Sequence, residues 1–141
     1  MQNTLQNFTP APLLTHYHAQ TMLASIGPRR FFVRRRADKM LAAAKDQVIN
    51  CDDGVRLSGS YTESEKADGK SLVILLHGWE GCISSSYLLS SATRLYEEGH
   101  SVFRLNFRDH GDSHSLNREL FHSARIKEVL DAVASVQQQY P

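Results

Sequence analysis

The chain has 141 residues, of which 41% are hydrophobic and 22% charged, so its composition is that of a modest globular domain and excludes a disordered protein. Sixteen basic and fifteen acidic residues give a net charge of +1, which provides no overall field to select nucleic acid or a membrane. The chain has two cysteines, Cys51 and Cys82, which is too few for a disulfide framework. The spacing between them is not that of metal ligands. We therefore expect a reducing, cytoplasmic setting, no metal and no cofactor. The N-terminus also lacks the pattern of a secretory signal.

Two helices are predicted in the first 46 residues. Apolar residues at positions 13–26 predict a short helix that a Gly-Pro pair ends. A second helix, over residues 29–45, carries a run of basic side chains: Arg29, Arg30, Arg34, Arg35, Arg36 and Lys39. Two interpretations of this run stay open, a solvated helix face or a weak contact with an anionic membrane surface that makes the protein membrane-peripheral. We assign residues 1–46 to a helical extension and residues 47–141 to the main domain.

A β-hairpin and a buried strand come next in the chain. Two β-rich stretches within residues 47–61 flank an Asp-Gly pair at positions 53–54, which is typical of a two-residue hairpin turn. Five apolar residues, Leu72–Leu76, predict a strand that is buried on both faces of a sheet. His-Gly-Trp-Glu-Gly follows directly at positions 77–81. Its glycines permit a sharp turn that leaves amide groups bare to hold negative charge, or they serve turn geometry alone.

A βαβ unit is predicted from the apolar strand onward. One of the serines at positions 84–86 can cap a helix, and Gly99 is placed to end it. A second strand over residues 101–107 then requires a right-handed crossover, which makes the two strands parallel. A polar loop follows, and apolar residues at helical spacing predict a last helix from residue 123.

This order of elements resembles the α/β-hydrolase fold. The features are the hairpin, the strand ending in His-Gly, the helix, and the second strand running into Phe-Arg-Asp-His-Gly-Asp-Ser at positions 107–113. The resemblance implies an α/β fold in which a β-hairpin and a parallel βαβ unit are flanked by helices. In that family the turn after the His-Gly strand supplies one oxyanion-hole amide. The resemblance assigns this role to the backbone N–H of Trp79, helped by Glu80, and makes His77 and Gly78 the residues that shape the turn.

Further segments narrow the resemblance to the YheT-like branch of hydrolases and esterases. They are His-Ala-Gln-Thr at positions 18–21, the basic segment after it, His-Gly-Trp-Glu-Gly at positions 77–81, Asn-Phe-Arg at positions 106–108 and Phe-His-Ser at positions 121–123. The match covers residues 13–138, with one departure: Asp-His stands at positions 109–110, where the branch has Gly after Phe-Arg. The resemblance implies hydrolysis of a small-molecule carboxylic ester through a serine acyl-enzyme, without a cofactor.

The nucleophile, acid and histidine of such an enzyme are not predicted in this chain. No Gly-x-Ser-x-Gly segment occurs in it, and in the family this elbow follows the last predicted helix, with the acid and the histidine later still. We therefore expect the N-terminal portion of a larger hydrolase, inactive without the missing C-terminal portion. The apolar strand would then expose one edge, which predicts poor solubility, aggregation or pairing with a partner. A non-catalytic α/β module that pairs with another chain is the alternative.

A third hypothesis places a nucleophile at Ser113. Gly-Asp-Ser-His at positions 111–114 resembles the Gly-Asp-Ser block of another class of serine esterases, with a histidine at 110, 114 or 122 as the base. That block belongs near the N-terminus, whereas 110 residues precede it here, and Gly-Asp-Ser also forms ordinary turns. Cys82, beside the predicted oxyanion turn, is either a small buried thiol or a reactive one.

Overall fold

The computed structural model describes residues 9–66 and 71–140. Within these ranges lie a 3₁₀ turn, four α-helices and four β-strands. Their bounds in chain order are Pro12–Leu14 for the 3₁₀ turn, Tyr17–Ile26 (α1), Arg29–Ala42 (α2), Lys45–Asn50 (β1), Arg56–Thr62 (β2), Leu72–Leu76 (β3), Ser86–Glu98 (α3), Ser101–Leu105 (β4) and Ile126–Gln139 (α4). The chain forms two compact units, one ending at Phe32 and the other beginning at Val33. None of the helices in the described ranges is long and apolar enough to cross a bilayer.

The first unit contains the 3₁₀ turn and α1. His16 has extended backbone angles, φ −92° and ψ 127°, so the single helix predicted at positions 13–26 is divided in two. His16 is the N-cap of α1, and its Nδ1 accepts a hydrogen bond from the N–H of His18 at 3.3 Å. The Gly27 N–H donates to the carbonyl oxygen of Leu23 at 3.2 Å, which closes α1 where the Gly-Pro pair was predicted to end it.

The second unit is built on a four-stranded sheet with the order β1-β2-β4-β3. β1 and β2 form the predicted antiparallel hairpin, β2 pairs antiparallel with β4, and β4 pairs parallel with β3. α3 makes the crossover from β3 to β4 and ends at Gly99, whose φ of 99° is left-handed. The predicted fold class, an α/β arrangement of a hairpin and a parallel βαβ unit with flanking helices, is confirmed.

The hairpin turn differs from the predicted two-residue type. Cys51 donates its N–H to the carbonyl oxygen of Val55 at 2.8 Å, and the Gly54 N–H donates to the carbonyl oxygen of Cys51 at 3.1 Å. These bonds close a three-residue loop in which Gly54 has a φ of 74°. Glycine adopts this left-handed conformation at no steric cost, which explains the Asp-Gly pair in a longer turn.

The core lies on both faces of β4. Side chains of a strand alternate between the faces, so Val102 packs on one face of the sheet and Phe103 and Leu105 on the other. The Val102 face is covered by buried residues of α2 and α3, and the opposite face by α4. The buried helix residues are Ala37, Met40, Leu89, Ala92 and Tyr96 on the first face, and Ala132 and Val136 on the second.

β3 is less buried than its sequence predicts. It ends the sheet of the described residues, so its far edge is unpaired, as the resemblance to the hydrolases implied. The prediction that β3 is buried on both faces is wrong, because Leu72 to Ile74 are only half-buried and Leu76 is 43% exposed. Two apolar side chains of α4, Ile126 and Leu130, are also more than half exposed. The most thoroughly buried strand is β4 instead.

Candidate functional site

The segment at residues 77–81, which we call the HGWEG turn, follows β3 directly. The Gly81 N–H donates to the carbonyl oxygen of Gly78 at 3.0 Å, which closes the turn. Glu80 is the residue of this turn with a left-handed backbone, at a φ of 53°. Gly81 is required for space, since a Cβ there would lie 2.6 Å from the hydroxyl oxygen of Tyr87.

His77 is buried and joins the HGWEG turn to the loop that follows β4. Its Nε2 accepts a hydrogen bond from the backbone N–H of Phe107 at 3.0 Å. Nε2 therefore carries no proton, and Nδ1 donates to the carbonyl oxygen of Gly78 at 2.8 Å. Burial holds the pKa of the His77 imidazole below its usual value, which agrees with a neutral ring. This clamp fixes the first peptide groups of the turn.

Tyr87, in the first turn of α3, holds the HGWEG turn from the other side. Its hydroxyl oxygen accepts a hydrogen bond from the N–H of Gly78 at 2.5 Å. Ser85 occupies the N-cap position, but its Oγ accepts from the N–H of Cys82 at 2.9 Å and not from an amide of the helix. The predicted serine cap is therefore corrected: the hydroxyl stabilises the connection that leads into α3.

Two amides of the HGWEG turn have no acceptor. Among the hydrogen bonds of the described residues, none involves the backbone N–H of Trp79 or that of Glu80. Their neighbours Gly78 and Gly81 both donate within the protein. The indole of Trp79 is 77% exposed, so water and small molecules reach this part of the turn. The two amides are available to a ligand that accepts hydrogen bonds.

The loop after β4 is held against the HGWEG turn by polar side chains. Asn106 accepts a hydrogen bond from the N–H of Ile83 at 2.9 Å and donates from Nδ2 to Ser58 Oγ at 3.0 Å. Arg104 is buried and donates to the carbonyl oxygen of Ile83 at 3.1 Å and to Ser60 Oγ at 3.0 Å. Burial lowers the pKa of its guanidinium. The connection from the turn to α3 is thus tied to the sheet.

A buried ion pair connects the same loop to α4. Arg108 donates from Nη2 and Nε to Glu128 Oε2 at 2.7 and 3.0 Å, and both side chains are less than 10% exposed. A second carboxylate, that of Glu119, lies 3.5 Å from Arg108 Nη1 at the surface. The pair fixes the position of α4 relative to the loop.

An apolar cavity of about 280 Å³ lies beside the HGWEG turn. Aromatic rings form much of its wall: Phe107 and Phe121 are stacked with centroids 5.7 Å apart, and His110 meets Phe121 edge-on at 4.8 Å. Trp79 also lies edge-on to Phe121, at 6.1 Å. The lining continues onto β3 and α4 with Leu76, Ile126 and Val129. A cavity of this size and polarity accommodates a small apolar group.

Ser113 lies in a closed turn. It is 2% exposed, its Oγ donates to the carbonyl oxygen of His110 at 2.7 Å and accepts from the N–H of His110 at 3.2 Å. His114, next to it, binds Asp109 instead through Nδ1 at 2.5 Å. No imidazole nitrogen of the described residues forms a hydrogen bond with Ser113 Oγ. This geometry disfavours Ser113 as a nucleophile and favours the turn interpretation.

The two cysteines differ in their surroundings. Cys51 is buried, its Sγ donates to the carbonyl oxygen of Glu128 at 3.3 Å, and burial raises the pKa of its thiol to about 11. Cys82 is partly exposed and follows the HGWEG turn. Within the described ranges, no group of three histidine, cysteine or acidic side chains is arranged to hold a metal ion.

Several solved structures that are similar to this chain are described as hydrolases or esterases. An esterase from Pyrococcus furiosus is 25% identical, with a TM-score of 0.57 over 70% of this chain and 37% of that one. An α/β serine hydrolase homologue from Coxiella burnetii is 19% identical, with a TM-score of 0.57 over 68% of this chain and 46% of its own. An α/β serine hydrolase without a lid from Xanthomonas campestris is 20% identical, with a TM-score of 0.51 over 68% and 43%. This chain has the α/β-hydrolase fold.

The chain spans less than half the length of each of these three hydrolases. No family model matches it, and no curated protein does. Within the α/β-hydrolase fold, the parallel pairing of β3 and β4 brings the HGWEG turn and the loop at residues 106–113 to the same end of the sheet. The oxyanion role of Trp79 stays a prediction.

Proposed function

We propose that this chain forms the oxyanion-hole side of a serine-type hydrolase that acts on small-molecule carboxylic esters. The observation that carries the proposal is the pair of unpaired amides, those of Trp79 and Glu80, in an exposed turn beside an apolar cavity. Acyl transfer places negative charge on the former carbonyl oxygen, and fixed N–H donors stabilise that charge as it develops. Trp79 supplies the first donor and Glu80 the second.

The surroundings of the turn suit this chemistry. His77 and Tyr87 each hold one hydrogen-bonding group of Gly78, so the peptide that precedes Trp79 is fixed before a substrate binds. A donor held in this way needs no reorganisation during the reaction, which is the condition for effective oxyanion stabilisation. The apolar cavity beside Trp79 would accept the acyl or alcohol group of the ester.

The nucleophile, the acid and the base are proposed to lie outside these 141 residues, as in the YheT-like branch that the sequence resembles. A Gly-x-Ser-x-Gly segment is absent from the chain, and the matched part of this chain covers less than half of each hydrolase of similar structure. No catalytic side chain is therefore assigned here, and the chain alone is proposed to be inactive. The working setting is proposed to be cytoplasmic, where both thiols stay reduced.

A fluorophosphonate probe and the DNA that follows codon 141 test this proposal. We expect no labelling of the 141-residue chain, and labelling of a Gly-x-Ser-x-Gly serine when the continuing reading frame is expressed. Labelling of the 141-residue chain that disappears in Ser113→Ala would overturn it in favour of the Gly-Asp-Ser hypothesis. The control Ser90→Ala, at an exposed position of α3 outside the cavity, should leave the labelling unchanged in every case.

A non-catalytic module that pairs through the edge of β3 is the second candidate. The observation that favours it is that β3 is apolar and unpaired on one side, with Leu76 43% exposed. β1, at the opposite edge, is protected by charged and polar residues. Leu76→Lys should abolish self-association or partner capture, whereas the matched change Val48→Lys on β1 should not. A stop codon after residue 141 with stable expression would favour this candidate over the hydrolase.

A further inference from the structure

The first turn of α2 exposes two aromatic rings next to two arginines. Phe31 and Phe32 are 62% and 64% exposed, and their rings meet edge-on with centroids 5.7 Å apart. Arg29 and Arg30 precede them and are also exposed. We call these four residues the arginine–phenylalanine surface. All four belong to the compact unit that ends at Phe32.

The arginines of this surface do not stabilise the helix that carries them. Positive charge in the first turn opposes the helix dipole, and α2 has no acidic residue there to offset it. In the described part of the chain, neither Arg29 nor Arg30 forms an ion pair, whereas Arg36, later in the same helix, pairs with Glu97. An anionic partner from outside the chain would compensate for this unfavourable placement.

The basic and acidic residues are also distributed unevenly along the sequence. Five of the sixteen basic residues and none of the fifteen acidic ones lie in residues 1–37, so the remaining residues carry a formal charge of −4. The net charge of +1 for the whole chain therefore conceals a basic N-terminal segment. Such a segment is attracted to anionic surfaces even when the 141 residues together are nearly neutral.

We propose that the arginine–phenylalanine surface binds the anionic face of a lipid bilayer. Arginine side chains pair with lipid phosphate while aromatic rings enter the boundary between headgroups and acyl chains. The same compact unit also exposes large side chains on α1, namely Tyr17, Met22 and Leu23. A bilayer provides an apolar layer for aromatic rings and for the aliphatic side chains of Met22 and Leu23 alike, whereas nucleic-acid bases stack only on the rings, so the lipid partner fits better. This inference is independent of the proposed hydrolase function.

Vesicle flotation of the complete 141-residue chain tests the proposal. We expect the chain to float with vesicles that contain phosphatidylcholine and phosphatidylglycerol, and to remain at the bottom with phosphatidylcholine alone. Flotation separates binding from aggregation, because aggregates sink. Each arginine near an anionic surface contributes about fivefold to the binding constant, so Arg29→Ser/Arg30→Ser should weaken binding about 25-fold. Phe31→Ser/Phe32→Ser should weaken it by at least about tenfold.

The matched control removes the same charge elsewhere. Arg94→Ser/Arg118→Ser changes the net charge equally at two exposed positions of the other unit and should leave flotation nearly unchanged. The arginine substitutions in α2 remove charges that oppose its dipole, so lost binding with unchanged circular dichroism cannot reflect unfolding. Equal weakening by the control pair would overturn the proposal, because only net charge would then matter. Binding to a polyanionic RNA but not to vesicles would also overturn it.

Discussion

Glu128→Leu tests whether the buried ion pair holds the loop after β4 to α4. Arg108 donates two hydrogen bonds to one oxygen of Glu128, at 2.7 and 3.0 Å, and the two side chains are 5% and 7% exposed. Removal of the carboxylate leaves a guanidinium that is buried with only the exposed Glu119 at 3.5 Å. Breaking one half of such a pair costs about 3–5 kcal/mol, a large part of the 5–15 kcal/mol that ordinarily stabilises a domain.

Replacement of both residues of the ion pair should have the opposite effect on stability from replacement of Glu128 alone. Arg108→Met/Glu128→Leu removes both charges and leaves apolar side chains of similar size, which is often neutral or stabilising. We therefore expect the double variant to be more stable than Glu128→Leu by at least about 2 kcal/mol. Arg94→Met breaks the exposed pair with Glu98 on α3 and should cost less than about 0.5 kcal/mol.

Urea unfolding followed by circular dichroism measures these differences, with sodium sulfate present to favour the compact state. At a slope of about 2 kcal/mol per molar, the midpoint for Glu128→Leu should fall by about 1.5–2.5 M. The reasoning is refuted if Glu128→Leu costs no more than the Arg94→Met control. It is equally refuted if the loss of unfolding free energy in the double variant equals the sum of the losses in Arg108→Met and Glu128→Leu.

Three further predictions follow from the described contacts. Burial lowers the pKa of His77 below 6.5, so the contribution of His77 to the unfolding free energy is present above about pH 6.5 and is lost as the pH falls towards the folded-state pKa. The wild type should therefore lose stability relative to His77→Asn as the pH falls through that range. A difference in stability that stays constant with pH would contradict this. Gly81→Ala should cost about 1–3 kcal/mol by calorimetry because its Cβ has no room, while Gly78→Ala, whose Cβ would lie 3.5 Å from the nearest atom, should cost less. A thiol reagent at about pH 8 should modify Cys82 but not Cys51, whose pKa is about 11, and modification that persists in Cys82→Ser would show that Cys51 is accessible.

The elements were predictable because their signals are local. The apolar run of β3, the glycine that ends α3 and the Asp-Gly pair of the hairpin each lie within a few neighbouring residues. The order of these elements, together with the crossover rule, was sufficient to predict the parallel pair and hence the end of the sheet where the HGWEG turn lies. Local signals were insufficient for turn details: the Asp-Gly pair predicted a two-residue hairpin turn, whereas the loop has three residues, and no sequence signal showed that Glu80 is left-handed.

The contacts that hold the candidate site were not predicted. Tyr87 binds a backbone group nine positions earlier, and Glu128 binds a side chain twenty positions earlier. Arg104 is charged but occupies a buried position of β4. The only sequence signal for its burial was its place between the apolar residues Phe103 and Leu105 of that strand. Such pairs depend on how separate elements pack, and no spacing rule within one element describes them. The burial of β3 was misjudged for a related reason, since an apolar run does not show how many neighbours a strand has.

Replacement of Trp79 in an active form of the proposed hydrolase tests the central claim most directly. Trp79→Pro removes the indole and the backbone N–H, whereas Trp79→Ala removes only the indole. Loss of one oxyanion donor lowers kcat about 100- to 1,000-fold, so we expect kcat for ester hydrolysis to be at least about 100-fold lower in Trp79→Pro than in Trp79→Ala. Equal kcat values in the two correctly folded variants would contradict the assignment of the Trp79 amide to the oxyanion hole.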